Sequence, residues 1–247
     1  MVRRDGGRRG QRIARLGRIA MGLGLAVSAG GPAGAQEEVV RVGDLPVLSN
    51  AGIYIAIEKG YFKEQGIRNE FSRFASAAKM VPVLAAGELD VATGTASAGL
   101  FNSIREGAPF RIVADKGQAR AGTGYILLAV RKDLVDSGQV KSVKDLKGRK
   151  FSDFAKGGIL SYLLGKVAEE AGLSVKELDV AYLSAPNQLQ AFETKAIDAA
   201  VTAEPWGARF EEQKVAVRFR TPDQVKGLGP MQVAAIWKAW RTKSTGS

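Results

Sequence analysis

Short β-compatible runs alternate with stretches of helical periodicity along most of the chain. In the first half the patterns predict strands at 39–44, 69–75, 89–94 and 109–115, separated by helices at 51–66, 77–86 and 96–107. In the second half they predict strands at 149–154, 177–183, 197–203 and 215–220, with helices at 159–172, 186–195 and 205–213. Strands separated by helices of about ten residues predict an α/β fold whose parallel sheets are covered on both faces.

The two halves repeat the same order of elements at the same spacing. The distance from Val42 to Asp90 is 48 positions, and that from Phe151 to Asp198 is 47. Coincidence between similar βα units is the alternative, but the agreement favours two lobes of one design. A crossing segment at 122–128 and a later apolar run at 231–240 predict a two-segment hinge. We therefore expect lobe 1 to comprise 36–124 and 229–247, and lobe 2 to comprise 125–228.

Turn and capping residues set the expected element boundaries. Asn50 is predicted to cap a helix that Gly66 ends. Ser142 and Asp145 have the spacing of a capping box. Asp90 and Asp198 occupy matched positions before strands, where closing a turn is the expected role rather than catalysis.

The positive charge is concentrated at the amino terminus. Residues 1–35 contain seven arginines and one acid, which accounts for +6 of the net +11. An apolar stretch at 19–29 follows, with small residues at Ala33 and Ala35. This pattern predicts a secretory signal cleaved after Ala35, hence an exported or periplasmic protein, with an amphipathic membrane-surface helix as the alternative. The remaining charge does not call for a nucleic-acid partner.

The chain contains neither cysteine nor histidine. Disulfides are therefore excluded, and the commonest metal ligand and general base are missing. The cleft serines Ser49 and Ser97 have no imidazole base, and Lys156 is a poor substitute. The sequence thus predicts no enzyme, no metal site and no cofactor.

The loops that follow strand ends indicate a ligand cleft. In parallel α/β sheets these loops gather at one edge, so the loops at 46–50, 93–97, 155–158 and 202–206 should meet between the lobes. Helix starts and lysines, Lys116 and Lys156, favour an anion. For the Ser, Thr, Asn and Gly residues of these loops ordinary helix capping is the alternative. Glu204 could complement a helix dipole or accept a hydrogen bond from a ligand N–H, and it should share one hollow with Thr95.

A set of phrases in order, "YIAIEKGYFKEQGI", "LAAGELDVATG", "IVADKG", "VRKDL", "VKDLKGRK" and "AIDAAVTAEPW", resembles the solute-binding proteins of ABC importers for sulfonates, nitrate and thiamine-precursor pyrimidines. The resemblance implies a periplasmic-binding type II fold with two parallel or mixed-sheet lobes joined by a hinge, a small-molecule ligand, a membrane permease as partner, and a monomeric receptor. Mapped onto this chain, it implies ligand contacts at Leu48, Ser49, Asn50, Thr93, Gly94, Thr95, Ser97, Thr123, Gly124, Lys156, Gly157, Gly158, Glu204, Pro205 and Trp206.

Two departures from the family pattern qualify the expectation. Relatives often have Ala-Pro where this chain has Ala51-Gly52, and they continue with several helices where this sequence stops at Ser247. We therefore expect an incomplete first lobe, from a truncated or frameshifted reading frame, with part of its apolar face exposed. An importer receptor for a sulfonate, taurine, nitrate or pyrimidine is the predicted function. A nonfunctional or regulatory remnant is the alternative, and an enzyme on the same scaffold is disfavoured.

Overall fold

A computed structural model describes residues 37–122, 124–228 and 231–239 of the chain. In the last range the side chains described are those of Ile236 and Lys238. The predicted signal at 1–35 and the predicted site residue Thr123 lie outside the described residues. Within the described ranges, no helix has the length and apolar character needed to cross a bilayer.

The first lobe is built on a five-stranded sheet in the order β2-β1-β3-β10-β4. Its strands are β1 (Glu38–Asp44), β2 (Ile67–Arg73), β3 (Val91–Gly94), β4 (Phe110–Ala119) and β10 (Met231–Ala239), and its helices are α1 (Ala51–Glu58), α2 (Tyr61–Glu64), α3 (Ala77–Ala85) and α4 (Ala98–Arg105).

The second lobe repeats that order around a sheet arranged β7-β6-β8-β5-β9. Its strands are β5 (Ile126–Arg131), β6 (Lys150–Asp153), β7 (Asp179–Tyr182), β8 (Ala199–Ala203) and β9 (Ala216–Arg220), and its helices are α5 (Lys132–Asp136), α6 (Ile159–Glu170), α7 (Ala185–Glu193) and α8 (Trp206–Glu212).

The duplication and both crossings are confirmed. In each lobe the fourth sheet position is taken by a strand that crosses between the halves: β5 pairs antiparallel with β8 and β9, and β10 pairs antiparallel with β3 and β4. The prediction of parallel or mixed sheets is therefore confirmed, and these two strands supply the antiparallel pairs. A strand that enters the opposite sheet without a crossover helix runs antiparallel to its neighbours.

The apolar core is unequal between the lobes. The second lobe packs α6 onto one sheet face through Leu163, Leu164 and Val167, and α7 and α8 onto the other through Phe192 and Phe210. The first lobe has a smaller core where α3 and α4 cover the sheet, around residues such as Met80, Leu84 and Leu100. Helix α1 contains no buried residue, and large apolar side chains of this lobe lie exposed, among them Ile55, Tyr61 and Phe101.

Two local predictions in the first lobe were wrong. The helix predicted over 51–66 is divided into α1 and α2, because Gly60 adopts a left-handed conformation with φ of 80°. Gly66, with φ of 68°, ends the second piece as expected. Asn50 makes no side-chain cap to α1. Its side chain is buried and donates to neighbouring oxygens instead, as described below.

The turn predictions are confirmed. Ser142 and Asp145 form a capping box at a 3₁₀ turn, with the Ser142 N–H donating to the Asp145 carboxylate at 2.8 Å. The carboxylates of Asp90 and Asp198 accept from the first-strand N–H groups of Arg41 and Lys150 at 2.9 Å in each case. These two aspartates therefore close equivalent turns at the end of the sheet opposite the cleft.

Candidate solute-binding cleft

A cavity of about 90 Å³ lies between the lobes, at the edge where the parallel strands end. We call it the first cavity. Thr95 and Ser97 line it from the first lobe, and Lys156 and Gly158 line it from the second. The structure thus brings together two pairs of predicted site residues, and the pairs are about 60 positions apart in the sequence.

Three helix starts converge on the first cavity. Residues of the first turns of α3, α4 and α6 line it: Ala77 and Ala78, Gly99, and Ile159 and Leu160. The first N–H groups of a helix have no partner within the helix, and its dipole is positive at that end. Lys156 adds a full positive charge, so the wall attracts an anion or a strong hydrogen-bond acceptor.

The first cavity also contains a buried carboxylate, Asp153, which is 1% exposed. Its oxygens accept from the Phe154 N–H at 2.6 Å and from the Ser161 hydroxyl at 2.5 Å. Burial raises the pKa of Asp153, and these hydrogen bonds oppose the rise. Because its oxygens are already bonded within the first turn of α6, Asp153 shapes the loop at 155–158 without needing a ligand.

A cavity of about 240 Å³ lies on the other side of Leu45 and Phe154, two residues that line both cavities. We call it the second cavity. Its other walls include Arg73 at the end of β2, Ser184 before α7, and Trp206 at the start of α8. Leu45 and Phe154 therefore form an apolar partition within one interlobe cleft.

A buried polar cluster supports the 48–50 turn from beneath. The amide nitrogen of Asn50 donates to the Asp44 carboxylate, to the Leu45 carbonyl at 2.8 Å and to the Thr93 hydroxyl at 3.0 Å. The Thr93 hydroxyl donates in turn to the Gly43 carbonyl at 3.0 Å. Three predicted site residues meet here or beside it: Asn50, Thr93 and Ser49.

Lys116 reaches this cluster from strand β4. Its ammonium donates to the Ser49 hydroxyl at 2.8 Å and to the amide oxygen of Asn50 at 2.5 Å. Burial lowers the pKa of Lys116 to about 8, and the charge of Asp44 opposes this shift. Tyr54 donates to Asp44 at 2.7 Å, and burial together with that bond raises the pKa of Tyr54 to about 12.

Within the described ranges, two main-chain hydrogen bonds join the lobes at the cleft rim. The Ala98 N–H, at the start of α4, donates to the Gly157 carbonyl at 3.2 Å. The Leu48 N–H donates to the Glu204 carbonyl at 2.7 Å. Predicted site residues supply at least one partner in both bonds. At these two points of the cleft rim, peptide groups hold the lobes together.

The side chain of Glu204 lies inside the second lobe. One carboxylate oxygen pairs with the Arg218 guanidinium, and the other accepts from the Ala208 N–H at 3.0 Å. Glu204 is not among the residues that line either cavity, whereas Thr95 is. Pro205 precedes α8 as its N-cap. Glu204 thus orients the loop that carries Trp206.

The two remaining predicted residues in the described ranges are glycines away from the cavity walls. Gly94 ends β3, where its backbone pairs with Ala235 of β10. Gly124 lies in the first crossing segment, and a Cβ built there would be 2.9 Å from Cδ of Pro222. Neither residue is among those lining the two cavities.

Sequence reasoning missed Ser76, Arg73 and Ser184, which line the cleft. It followed the loops after β1, β3, β6 and β8 only. Strands β2 and β7 are also followed by helices, so their carboxyl ends open at the same edge. A serine one residue before each of α3 and α7 was the available signal.

The fold and the interlobe cleft define a two-lobed α/β protein of the periplasmic-binding type. Similar solved structures include the alkanesulfonate-binding protein SsuA from Xanthomonas axonopodis pv. citri bound to MOPS, with 20% identity and a TM-score of 0.66 over 81% of this chain and 65% of that one. The aliphatic sulphonate-binding SsuA from Escherichia coli shares 19% identity, with a TM-score of 0.62 over 82% and 65%. The nitrate-binding protein NrtA from Synechocystis PCC 6803 shares 17%, with a TM-score of 0.66 over 81% and 55%.

The chain belongs to the NMT1-like family, whose model matches residues 33–245. A search of curated proteins gave no match. The chain spans less than two thirds of the length of the three solved structures named above. At these identities the structural likeness establishes the fold.

Proposed function

We propose that the protein is the exported solute-binding component of an ABC importer and that it captures a small anionic or zwitterionic solute in the interlobe cleft. A sulfonate, taurine, nitrate or a pyrimidine is the proposed solute class, and a membrane permease is the proposed partner of a monomeric receptor. The signal at 1–35 would direct export, with cleavage near Ala35. The proposal assigns no reaction to the chain.

The convergence of the α3, α4 and α6 starts with Lys156 on one interlobe cavity carries this proposal. The three helix starts come from both lobes, so a solute that contacts them all favours the closed arrangement over the open one. Binding then acts as a population shift, and a permease can recognise the closed shape. The two main-chain bonds between the lobes would break if the lobes moved apart, so they favour closure together with the solute.

The proposed contacts fall into two groups. Thr95, Ser97, Lys156 and Gly158 would contact the anionic group, and Trp206 would contact the rest of the solute across the partition. The remaining predicted residues would act by holding the cleft loops: Leu48, Ser49, Asn50, Thr93, Gly94, Thr123, Gly124, Gly157, Glu204 and Pro205.

A thermal-shift screen with alkanesulfonates, taurine, nitrate and aminopyrimidines tests the proposal. A solute present at about 100 times its Kd stabilises the folded state by about 2.7 kcal/mol, which raises the melting temperature by several degrees. Lys156→Gln should reduce that shift for an anion. Lys176→Gln, an exposed position on the same lobe outside the cleft, should leave it unchanged.

The screen has a clear negative outcome. If the protein unfolds cooperatively and none of these solutes raises its melting temperature, the receptor function is wrong. Equal shifts in Lys156→Gln and Lys176→Gln would keep solute binding but move the anion site away from the first cavity.

A further inference from the structure

The second cavity has the composition of a binding site in its own right. Its volume of about 240 Å³ exceeds the 90 Å³ of the first cavity. Both lobes contribute to it: Pro46 and Arg73 come from the first, and Ser184 and Trp206 from the second. No acidic residue is among the described residues that line it, although Asp153 lines the first cavity.

Arg73 supplies a positive charge at the edge of this cavity, and it also lines a neighbouring cavity of about 450 Å³ that includes Asp44 and Tyr54. It is the last residue of β2, and its side chain is exposed. Within the described ranges, no carboxylate lies within 4 Å of its guanidinium and no hydrogen bond engages it. An arginine whose guanidinium group makes no hydrogen bond within the protein is suited to bind a carboxylate, sulfonate or phosphonate, because it can donate two parallel hydrogen bonds.

The start of α7 faces the same space. Ser184 is its N-cap residue, but the Ser184 side chain makes no cap hydrogen bond. The helix is nine residues long; its second residue, Pro186, has no N–H, but the N–H of Ala185 has no intrahelical acceptor. The Ser184 hydroxyl and these N–H groups add donors beside Arg73.

Trp206 contributes aromatic surface to this cavity, and it has a buried indole N–H without a partner among the described residues. The residue lines the second cavity and is 8% exposed, and its indole N–H has no hydrogen-bond partner in the part of the chain that the structure describes. Burying an unpaired N–H costs about 1–3 kcal/mol, so native proteins rarely leave one without a partner. The Arg209 guanidinium lies 4.8 Å from the centre of the indole ring and adds positive charge behind it.

We infer that the second cavity is a second acceptor-binding subsite and that the preferred solute is bifunctional. One acidic group would occupy the first cavity near Lys156, and a second acidic or strongly accepting group would bind Arg73 and the start of α7. A short apolar segment would join them across Leu45 and Phe154. This inference rests on the proposed function, because it takes the first cavity as the site of one anionic group.

A matched ligand series tests the inference by isothermal titration at 150 mM salt. Propane-1-sulfonate carries one acidic group, whereas 3-sulfopropanoate and propane-1,3-disulfonate carry two, and homologues with two to five methylenes vary the span. We expect the best bifunctional ligand to bind at least tenfold more tightly than the monosulfonate of equal length. Arg73→Gln should remove that gain and leave the Kd of the monosulfonate within twofold of the wild-type value.

Arg68→Gln is the matched control. Arg68 is exposed on the same strand as Arg73, pairs with Glu70 and does not line the second cavity. It should leave the affinity for every ligand in the series unchanged, which separates a local contact from the general effect of one lost positive charge. Equal losses in both arginine variants would overturn the inference.

Other outcomes distinguish this inference from the proposed function. If monosulfonates bind in a Lys156-dependent manner but two-ended ligands bind no more tightly, the second subsite is wrong and the receptor function stands. If no ligand of either kind binds, the receptor function is wrong, and the second subsite falls with it.

Discussion

The two lobes share a strand order but not the chemistry of their interiors. Among the described residues, the second lobe is centred on clusters of 18 and ten buried apolar residues, the larger of which includes Ala119 of the first lobe, and the main cluster of the first lobe has seven. The first lobe also contains a buried polar cluster of Asp44, Asn50, Thr93 and Lys116. The comparison shows that one topology can be stabilised by burial in one copy and by buried hydrogen bonds in the other.

The sharpest contrast lies between Asp44 and Asp153. Asp44 is the last residue of β1 and Asp153 is the last residue of the matching strand β6, and both are 1% exposed. Strand β1 pairs with β3 and β6 pairs with β8 in the same register, Val42 with Val91 and Phe151 with Ala199. Asp44 lies close enough to the buried Lys116 to shift its pKa, whereas Asp153 accepts from uncharged donors.

Neutralising the two aspartates should produce the largest difference between the lobes. We expect Asp44→Asn to reduce the free energy of unfolding by about 3 kcal/mol, because it leaves the Lys116 charge buried without its compensating anion. Asp153→Asn should cost less than about 1 kcal/mol. Burial already disfavours the charge of Asp153, and the Ser161 hydroxyl can reverse its role and accept. Urea denaturation of both variants measures the difference, and equal costs would contradict the contrast.

The next largest effect should be a dependence of the free energy of unfolding on pH that arises from the buried Lys116. With a folded-state pKa of about 8 against an ordinary 10.5, folded Lys116 loses its proton over a pH range in which the unfolded chain retains it. Unfolding then takes up a proton, so the free energy of unfolding should rise by about 2 kcal/mol from pH 7 to pH 10. Above pH 10 the raised pKa of Tyr54 acts in the opposite direction.

Lys116→Met should abolish this rise, measured as the difference between wild-type and variant urea curves at pH 7, 8.5 and 10. Lys79→Gln, at an exposed position on α3 of the same lobe, is the control and should retain it. Parallel pH profiles for the wild type and Lys116→Met would show that Lys116 is not the group responsible.

Exchanging the residues at another matched position tests how closely the helices approach each sheet. Gly43 and Ser152 precede the two aspartates and pair with Ala92 and Ala200. A Cβ at Gly43 would lie 2.7 Å from Cδ1 of Leu89 and 3.2 Å from Sδ of Met80. We expect Gly43→Ser to cost about 2 kcal/mol through overpacking. Ser152→Gly should cost about 1 kcal/mol, since it removes a hydroxyl bonded to Gln188. Thermal unfolding compares the two variants. If Gly43→Ser leaves the melting temperature unchanged, the close packing of Leu89 and Met80 against position 43 is disproved.

The smallest expected effect distinguishes two serines of the first cavity. Ser97 accepts from the Leu100 N–H at 3.2 Å and caps α4, so Ser97→Ala should cost about 1 kcal/mol. Ser76 makes no cap hydrogen bond to α3, so Ser76→Ala should change stability by less than about 0.5 kcal/mol. If Ser76 instead contacts the solute, Ser76→Ala should weaken binding in the thermal-shift screen. Equal stability losses in the two variants would contradict the assignment of Ser97 as the capping residue.

The sequence was sufficient to predict features that depend on local order. Helix-strand alternation and repeated spacing predicted the duplication, and a glycine-rich segment and a late apolar run predicted the crossings. Partners that are distant in the sequence were not predictable in this way. Asn50 was expected to cap a helix, but it bonds Thr93, 43 positions away. Glu204 was weighed as a ligand contact, and its carboxylate is paired with Arg218 of β9. Such pairings depend on the register of the strands in each sheet, and local sequence patterns do not predict that register.

The rim of the cleft is closed by peptide groups, through the Ala98–Gly157 and Leu48–Glu204 hydrogen bonds. Any amino acid except proline at positions 48 and 98 supplies the same N–H donor. Substitutions at the cleft rim can therefore change the specificity for a solute while the two hydrogen bonds between the lobes are retained. Ligand specificity could therefore change through single side-chain substitutions, without any change in the main-chain bonds that join the lobes.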